Sequence, residues 1–178
     1  MKKLSIMLMA IVLAINASAQ RYNVGSSYTT TDYFGNRTTT HRNQYGQTTG
    51  TSSSSTDYYG ITRITHRDGY GYMIGTSTST TDCFGNTITT HQDNYGNTIG
   101  TARTTTDYFG NTNAYYYDSH GLSTGSTTTS TDYFGTTRSS HNNRYGLSQG
   151  ISTSTTDCFG NRTTQHQSID PEDEIWSW

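Results

Sequence analysis

Five histidines recur at multiples of 25 residues, and imidazole is a common ligand of metal ions. They are His41, His66, His91, His141 and His166. Zn²⁺ binds imidazole nitrogen at about 2.0–2.1 Å, so one ion needs several of these rings close together. Equivalent residues of an antiparallel meander lie two strands apart, roughly 9–10 Å, whereas a β-solenoid would halve that distance and make metal binding conceivable. We predict no metal and no cofactor, and interpret the histidines as polar strand-end residues beside a turn.

An Asp-x-x-Gly motif is the most regular feature of the sequence. Calcium-binding repeats also combine Asp and Gly, but each repeat here offers one fixed carboxylate, and Ca²⁺ takes six to eight oxygen ligands. Asp accepts hydrogen bonds from backbone N–H groups in tight turns, and Gly takes a positive φ there without steric cost. We therefore assign structural turns to Asp32 and Gly35, Asp57 and Gly60, Asp82 and Gly85, Asp107 and Gly110, Asp132 and Gly135, and Asp157 and Gly160.

Ser, His and Asp, the residue types of many hydrolases, are abundant in this chain. Because they recur with the repeat, their coincidence does not single out a nucleophile with its own base, as an active site would. We predict that the protein is not an enzyme and has no catalytic residues.

Two cysteines, Cys83 and Cys158, replace the Tyr of the turn motif in the third and sixth repeats. A disulfide needs Cα atoms within about 7 Å. Three repeats separate the two residues, which corresponds to roughly 29 Å in a flat meander or about 14 Å in a solenoid. We therefore predict free thiols or, in an oxidising compartment, bonds between chains.

Aromatic pairs occupy the middle of four of the turns. Rings exposed in a row can stack on the sugar rings of a glycan or a cell wall. Alternatively, they cover a thin apolar face of the strands, because the chain has little other apolar material. Both interpretations stay open, and the candidate stacking residues are Tyr33, Phe34, Tyr58, Tyr59, Tyr108, Phe109, Tyr133 and Phe134.

The 178-residue chain that must position these side chains has the length of one domain but an unusual composition. Hydrophobic residues make up 29% and charged residues 13%, against roughly 45–50% and 25% in typical globular proteins. The difference is filled by 37 Thr and 21 Ser. Apolar burial contributes roughly 25 cal/mol per Å². With so few apolar side chains, this cannot offset the conformational entropy that a fold with a large aliphatic core would lose. The composition argues against a conventional enzyme and against an amphipathic helical protein.

Blocks of 25 residues align without a gap from Thr31 onward, which indicates a repeat architecture. The full repeats are 31–55, 56–80, 81–105, 106–130 and 131–155, with half-repeats at 20–30 and 156–167. Each repeat alternates the Asp-x-x-Gly turn with a looser second turn, and Thr-rich stretches between the turns favour strands. Residues 20–167 are therefore predicted to form an all-β array of antiparallel β-hairpins, a meander that is elongated or rolled. A β-solenoid is the alternative.

The few aliphatic residues of the longer strand share one face under the period-2 rule. They are Leu122, Leu147, Ile74, Ile99 and Ile151. We expect this face to pair with the aromatic turn residues, while Thr and Ser cover the other face. The repeats and half-repeats amount to twelve hairpin-sized units that depend on their neighbours. Because the two end units are complementary, we also predict that they pair, either within a closed barrel or between chains.

Residues 1–19 combine two lysines, an apolar run and small residues before Gln20, as in a cleaved secretory signal peptide of a Gram-negative bacterium. We expect a secreted, periplasmic or cell-surface protein. After cleavage, nine Arg against thirteen Asp and Glu leave a net charge of −4, which argues against nucleic-acid binding. No later segment is long and apolar enough for a transmembrane helix.

Residues 168–178 depart from the repeat, with four acidic residues, Pro171 and two Trp. Proline denies the ladder a donor, and charge discourages pairing at a sheet edge. We interpret this segment as a C-terminal cap.

The Asp-x-x-Gly-Asn turn with an aromatic pair, as in residues 32–36, resembles the tyrosine-aspartate repeats of bacterial rearrangement-hotspot proteins. That resemblance implies a secreted or surface-located β-hairpin shell. Residues 115–125, YYYDSHGLSTG, are similar to the aromatic cell-wall-binding repeats of clostridial toxins and glucan-binding proteins. They depart from those repeats in having three rather than four residues between the glycines and no repeated Trp.

We therefore expect an exported, non-catalytic repeat protein with a structural, adhesive or extracellular-matrix role. Its partners would be further copies of itself or surface glycans. The alternative is a glycan- or cell-wall-binding module that uses the aromatic turn residues.

Overall fold

A computed structural model describes residues 22–169, so the predicted signal peptide and residues 170–178 of the predicted cap lie outside the described part. All helix or strand assignments in that part are β-strands, and there are twelve of them. The strands are β1 (Tyr22–Thr31), β2 (Arg37–Asn43), β3 (Thr48–Thr56), β4 (Thr62–Asp68), β5 (Met73–Thr81), β6 (Thr87–Asp93), β7 (Thr98–Thr106), β8 (Thr112–Asp118), β9 (Ser123–Thr131), β10 (Thr137–Asn143), β11 (Ser148–Thr156) and β12 (Arg162–Ser168). The described part contains no helix of the length and apolarity that crossing a bilayer requires.

The twelve strands form one closed antiparallel barrel. Consecutive strands pair throughout, and β1 also pairs with β12, where Ser26 lies opposite Gln165. The predicted all-β hairpin repeat is confirmed, whereas the open meander and the solenoid are wrong. The first and last units pair within the chain, and each predicted unit is a single strand. Closure gives hydrogen-bonding partners to the two strands that an open array leaves at its edges.

The Asp-x-x-Gly turns are built by side-chain capping. Asp32 Oδ1 accepts hydrogen bonds from the backbone N–H groups of Phe34 and Asn36, both at 2.9 Å. The N–H of Gly35 donates to the Asp32 carbonyl oxygen at 3.1 Å. Gly35 has a φ of +82°, in the left-handed region that glycine enters without a steric penalty. The second turns follow the same scheme, with Asn43 Oδ1 accepting from Tyr45 and Gln47.

A second kind of glycine lets neighbouring strands approach closely. Gly50 in β3 is buried and lies opposite His41 of β2 and Asp68 of β4. A Cβ atom at Gly50 would lie 2.5 Å from the carbonyl oxygen of Arg67. A β-bulge after His41 shifts the register of the same hairpin, and bulges increase the local twist of a strand pair. Equivalent bulges occur in the other four hairpins of this type.

The barrel interior is polar. Ala102 is the one buried hydrophobic residue among those described. The buried polar residues are Ser27, Ser77, Thr127, Ser152, Ser154, His166 and Ser168. Twelve strands spaced 4.7–4.9 Å apart and tilted by 35–45° form a backbone cylinder about 24 Å across. Short hydroxyl side chains therefore line the wall where most domains have aliphatic ones.

The expected packing of the aliphatic face is wrong. Ile74, Ile99 and Ile151 do share a strand face, but it is the outer one. Leu122 and Leu147 directly precede β9 and β11, and Leu122 is 63% exposed. Side chains alternate along each strand. Because the close-packed Gly50 and its equivalents lie on the inner face together with Ser52 and its equivalents, the aliphatic positions between them must face outward.

Candidate functional site

A belt of histidines and hydroxyl residues lines the barrel interior. Each short strand contributes the residue at the predicted histidine position, and each long strand contributes a small residue beside it. Going around the wall, the twelve members are Ser27, His41, Ser52, His66, Ser77, His91, Ala102, Tyr116, Thr127, His141, Ser152 and His166. We call this ring the histidine belt. The histidines are therefore directed into the interior, and their interpretation as strand-end residues beside a turn is incomplete.

Hydrogen bonds join neighbours along the belt in both directions. Ser27 Oγ lies 3.0 Å from His41 Nδ1, and His41 Nε2 lies 3.1 Å from Ser52 Oγ. The same alternation continues through His66 to His91 with distances of 2.9, 2.8 and 2.7 Å. On the other side Thr127, His141, Ser152 and His166 are linked by bonds of 2.9, 2.8 and 2.8 Å. His166 Nε2 then reaches Ser27 Oγ at 3.2 Å, across the closure between β12 and β1.

The belt is interrupted at one place, where two exceptions to the repeat face each other. Ala102 replaces the hydroxyl residue, and Tyr116 replaces the histidine directly opposite on β8. A tyrosine ring needs more volume than imidazole, and the adjacent alanine supplies it. The Tyr116 hydroxyl donates to Thr127 Oγ1 at 3.2 Å, which makes it the starting donor of the remaining chain.

That starting donor favours one direction for the whole chain. Thr127 Oγ1 accepts from Tyr116 and still has its one proton for His141 Nδ1, 2.9 Å away. Donation to Nδ1 goes with the His141 tautomer that carries its proton on Nε2, the nitrogen that faces Ser152 Oγ. The same alternation of Nδ1 and Nε2 contacts continues as far as His91. Neutral imidazole suits the pattern because it offers one donor and one acceptor.

Burial favours the neutral form of these rings. It lowers the pKa of His41, His91 and His141 below the ordinary value, because the charged imidazolium loses hydration. The pKa of His66 falls for the same reason, with smaller effects from His91 and His41. His166, only 3% exposed, has its pKa lowered to about 4 by burial and then by the charges of His141 and His41. The belt is thus uncharged at neutral pH.

The belt fits a structural role better than a metal site. Successive histidines are separated by a strand that inserts a hydroxyl between their nitrogens, so the rings bind hydroxyls rather than converge. No group of three or more His, Cys, Asp or Glu that could hold a metal ion occurs among residues 22–169. No buried side-chain nitrogen or oxygen in the described range lacks a hydrogen-bond partner.

The strongest candidate for ligand contact is one end of the barrel. Consecutive hairpins place their turns at alternate ends, so all six Asp-x-x-Gly turns lie at the same end. Their exposed rings form what we call the aromatic rim: Tyr33, Phe34, Tyr58, Tyr59, Phe84, Tyr108, Phe109, Tyr133, Phe134 and Phe159. These rings are 82–98% exposed. They therefore do not cover the aliphatic face, which leaves ligand stacking as the remaining sequence-based interpretation.

Within four of the turns the two rings have the same mutual geometry. The centroids of Tyr33 and Phe34 are 5.6 Å apart, and the ring planes meet at 84°. The pairs at Tyr58, Tyr108 and Tyr133 repeat this edge-to-face arrangement at 5.6–5.7 Å. Edge-to-face packing is a favourable arrangement of aromatic rings. It leaves ring faces open to an approaching ligand at repeated points around the rim.

Cys83 and Cys158 also lie on the aromatic rim, and both are free and exposed. Cys83 belongs to the turn between β5 and β6, and Cys158 to the turn between β11 and β12. Six strands separate these turns in a twelve-stranded wall, so the thiols lie on opposite sides of the rim. That separation is about the barrel diameter, far beyond the 7 Å reach of a disulfide.

The opposite end of the barrel carries a second set of exposed aromatic residues. They are Tyr45, Tyr70, Tyr72, Tyr95 and Tyr145. The Arg144 guanidinium lies 5.0 Å from the ring centroid of Tyr145, within cation–π range. Both ends of the barrel thus present aromatic surface, and the aromatic rim carries edge-to-face pairs at four repeated positions.

The chain matches no protein-family model and no curated protein significantly. The fold and the candidate site by themselves describe a closed repeat barrel with a hydrogen-bonded polar interior and aromatic ends.

The hydroxyl partners of the histidines were not predicted from the sequence. The signal was nonetheless present, because the position occupied by Ser52 carries Ser or Thr in every unit except the one with Ala102. That exception directly precedes the single repeat in which Tyr116 replaces histidine. Paired exceptions of this kind indicate contact between two positions.

Proposed function

We propose that this protein is an exported, non-catalytic adhesion protein that binds surface glycans through its aromatic rim. The observation that carries the proposal is the concentration of exposed rings at one end of a barrel whose outer wall is largely Thr and Ser. Large exposed apolar patches on a folded protein mark interaction sites. Aromatic residues combine wide flat faces with few rotatable bonds, which suits contact with flat apolar ligand surfaces.

The repeated arrangement supports binding to a polymer. Neighbouring turns on the rim are two strands apart, roughly 10 Å along the wall. Several weak stacking contacts spaced along one polysaccharide would act together, because each contact raises the effective concentration of the next. A row of equivalent turns is suited to this mode of recognition, and the repetition of every Ser, His and Asp position supports a non-catalytic role.

Self-association in a matrix is the second candidate, and the aromatic residues at both barrel ends favour it. Polymerisation through strand pairing loses its structural basis, since every described strand already has two partners. End-to-end contact between the aromatic ends of two barrels still provides a structural basis for self-association. The proposal includes export because residues 1–19 have the sequence pattern of a signal peptide.

Polysaccharide binding measured with rim variants tests the proposal. The test variant replaces Tyr33, Phe34, Tyr108 and Phe109 by Ala, which removes two of the edge-to-face pairs. The matched control replaces four exposed tyrosines of the opposite end, Tyr45, Tyr70, Tyr95 and Tyr145. Both variants change only exposed side chains, so the barrel is expected to fold in each.

Glycan-array and pull-down binding that is lost in the rim variant and retained in the control supports the proposal. Equal binding by all three proteins, or no binding by the wild type, contradicts it. Sedimentation velocity on the same proteins tests the second candidate, which predicts oligomers that depend on both barrel ends.

A further inference from the structure

A ring of twelve inward-facing residues surrounds the lumen directly beneath the aromatic rim. Each lies four residues along its strand from a member of the histidine belt, which puts it on the same face. Ten members are threonine: Thr31, Thr56, Thr62, Thr81, Thr87, Thr106, Thr112, Thr131, Thr137 and Thr156. The other two are Arg37, the first residue of β2, and Arg162, the first residue of β12. We call this the mouth ring.

The two arginines interrupt a pattern of hydroxyl pairing. Thr56 bonds Thr62 at 2.8 Å, and the corresponding threonine pairs of two other hairpins bond at 2.9 and 3.2 Å. In the first and last hairpins an arginine replaces one partner. Both arginines flank β1, where Thr31 lies opposite Arg37 and Thr29 lies opposite Arg162. The barrel closure therefore brings together two exceptions that lie 125 residues apart in the sequence.

Nothing in the described part of the chain neutralises this pair. Neither Arg37 nor Arg162 forms a hydrogen bond or ion pair with another described residue. Burial and the charge of Arg37 lower the pKa of Arg162, although its side chain keeps an exposed surface. Two guanidinium groups held near each other without a carboxylate disfavour folding by mutual repulsion. The strand does not need an arginine at this position, since Thr occupies it in the other four repeats.

The carboxylates closest in sequence are already engaged by their own turns. Asp32 accepts from two backbone N–H groups through Oδ1 and from the Asn36 side chain through Oδ2. Asp157 accepts from Asn161 and Phe159 in the same way. Each guanidinium therefore keeps its planar set of N–H donors for another acceptor.

The arginines adjoin the aromatic rim. The turn with Tyr33 and Phe34 leads directly into Arg37, and the turn with Phe159 leads into Arg162. We propose that the sector of the mouth ring around Arg37 and Arg162 binds the acidic group, a carboxylate or sulfate ester, of a glycan held by the aromatic rim. This inference rests on the proposed function and deepens it by naming acidic glycans as the ligand class.

Guanidinium is suited to this task because its paired N–H groups match the two oxygens of a carboxylate or sulfate. The neighbouring threonine hydroxyls both donate and accept, as hydroxyl groups of a sugar require. The six turn aspartates make the rim negative at longer range, so they do not steer an anion toward it. Selection must therefore come from short-range contact with the arginines, and we expect a preference for acidic over neutral sugar of about tenfold.

The test titrates the full mature chain by calorimetry with three oligosaccharides of equal length: an oligogalacturonate, a sulfated glucan and a neutral glucan. The variant is R37T/R162T, which installs the residue that the other four repeats carry and so keeps the fold. The matched control is R63T/R138T, two exposed arginines on the outer face at positions where other repeats carry Thr38 and Thr163.

We expect the wild type and the control to bind at least one acidic oligosaccharide about tenfold more tightly than the neutral one. The R37T/R162T variant should bind all three with the affinity of the neutral ligand. Equal affinities in the wild type, or a preference that survives R37T/R162T, overturn this inference while leaving glycan binding intact. Absence of binding to all three overturns both proposals. The two acidic probes distinguish carboxylate from sulfate.

Discussion

Acidification from pH 7.5 to 4.5 should destabilise the barrel through the histidine belt. A belt histidine accepts from one hydroxyl and donates to the next, so a proton added to it creates a second donor where its neighbour already donates. One hydroxyl must then turn away from its partner. The pKa of His166 in the folded barrel is about 4, against about 6.5 in an unfolded chain.

The sign and size of the effect follow from proton linkage. A lowered folded-state pKa means that the unfolded state binds the proton first, so stability is present above pH 6.5 and is lost as the pH falls toward 4. For His166 alone this amounts to about 2.5 kcal/mol between pH 7.5 and 4.5. The pKa values of His41, His66, His91 and His141 shift in the same direction and add to the loss.

Urea unfolding followed by far-ultraviolet circular dichroism at four pH values measures this loss. Hydrogen bonds within the turns hold the pKa below 3.8 for four aspartates of the aromatic-rim turns and for two of the second turns, so these six stay ionised in the folded barrel across this window: Asp32, Asp82, Asp107 and Asp157, and Asp93 and Asp118. His166→Gln should reduce the acid-induced loss by about 2.5 kcal/mol. Thr78→Ala, on the outer face of β5, changes no titratable group and should leave the acid-induced loss unchanged. A wild-type free energy of unfolding that stays constant across the window would show that the belt histidines do not bind protons more weakly in the folded barrel than in the unfolded chain.

Three further predictions concern the belt, the strand contacts and the thiols. Ala102→Ser supplies a hydroxyl beside His91 and should raise the free energy of unfolding by about 1 kcal/mol in urea titrations. A lower free energy of unfolding would contradict this, and would show that alanine beside Tyr116 stabilises the barrel more than serine does. Gly75→Ala puts a Cβ 2.4 Å from the carbonyl oxygen of Gln92, so it should destabilise by more than about 2 kcal/mol, whereas Thr78→Ala on the outer face of the same strand should change stability by less than about 0.5 kcal/mol. Cys83 and Cys158 should both react with a thiol reagent in the folded, reduced protein, and a stoichiometric intramolecular bridge on non-reducing gels would contradict the barrel geometry.

Much of the local structure could be predicted from sequence because it depends on short-range chemistry. Asp32 and Gly35 form the turn that their residue types favour, since the capping carboxylate and the left-handed glycine act within five residues. The Thr-rich segments form strands for the reason that β-branched residues favour extended backbone. The even spacing of these signals also predicted where one strand ends and the next begins.

The inner and outer faces could not be chosen in the same way. Hydrophobic alternation normally decides which face is buried, and register is weakly specified when both faces are polar. Both faces of these strands are largely Thr and Ser, and the few aliphatic residues, such as Ile74 and Leu122, lie on the outside. The inner face is instead selected by close backbone contact at Gly50 and by the mutual hydrogen bonding of residues such as Ser52 and His66.

Local sequence signals suffice to specify a β-hairpin repeat with a 25-residue period, turns at fixed positions and no large aliphatic core. The closure of the array depends on the whole fold, because the same local pattern is compatible with a flat, rolled or closed sheet until the twist and the number of strands are combined. Closure joins Ser27 to His166 and places Arg37 and Arg162 on either side of β1. Those contacts link residues more than 100 positions apart, and the geometry of the whole barrel brings them together.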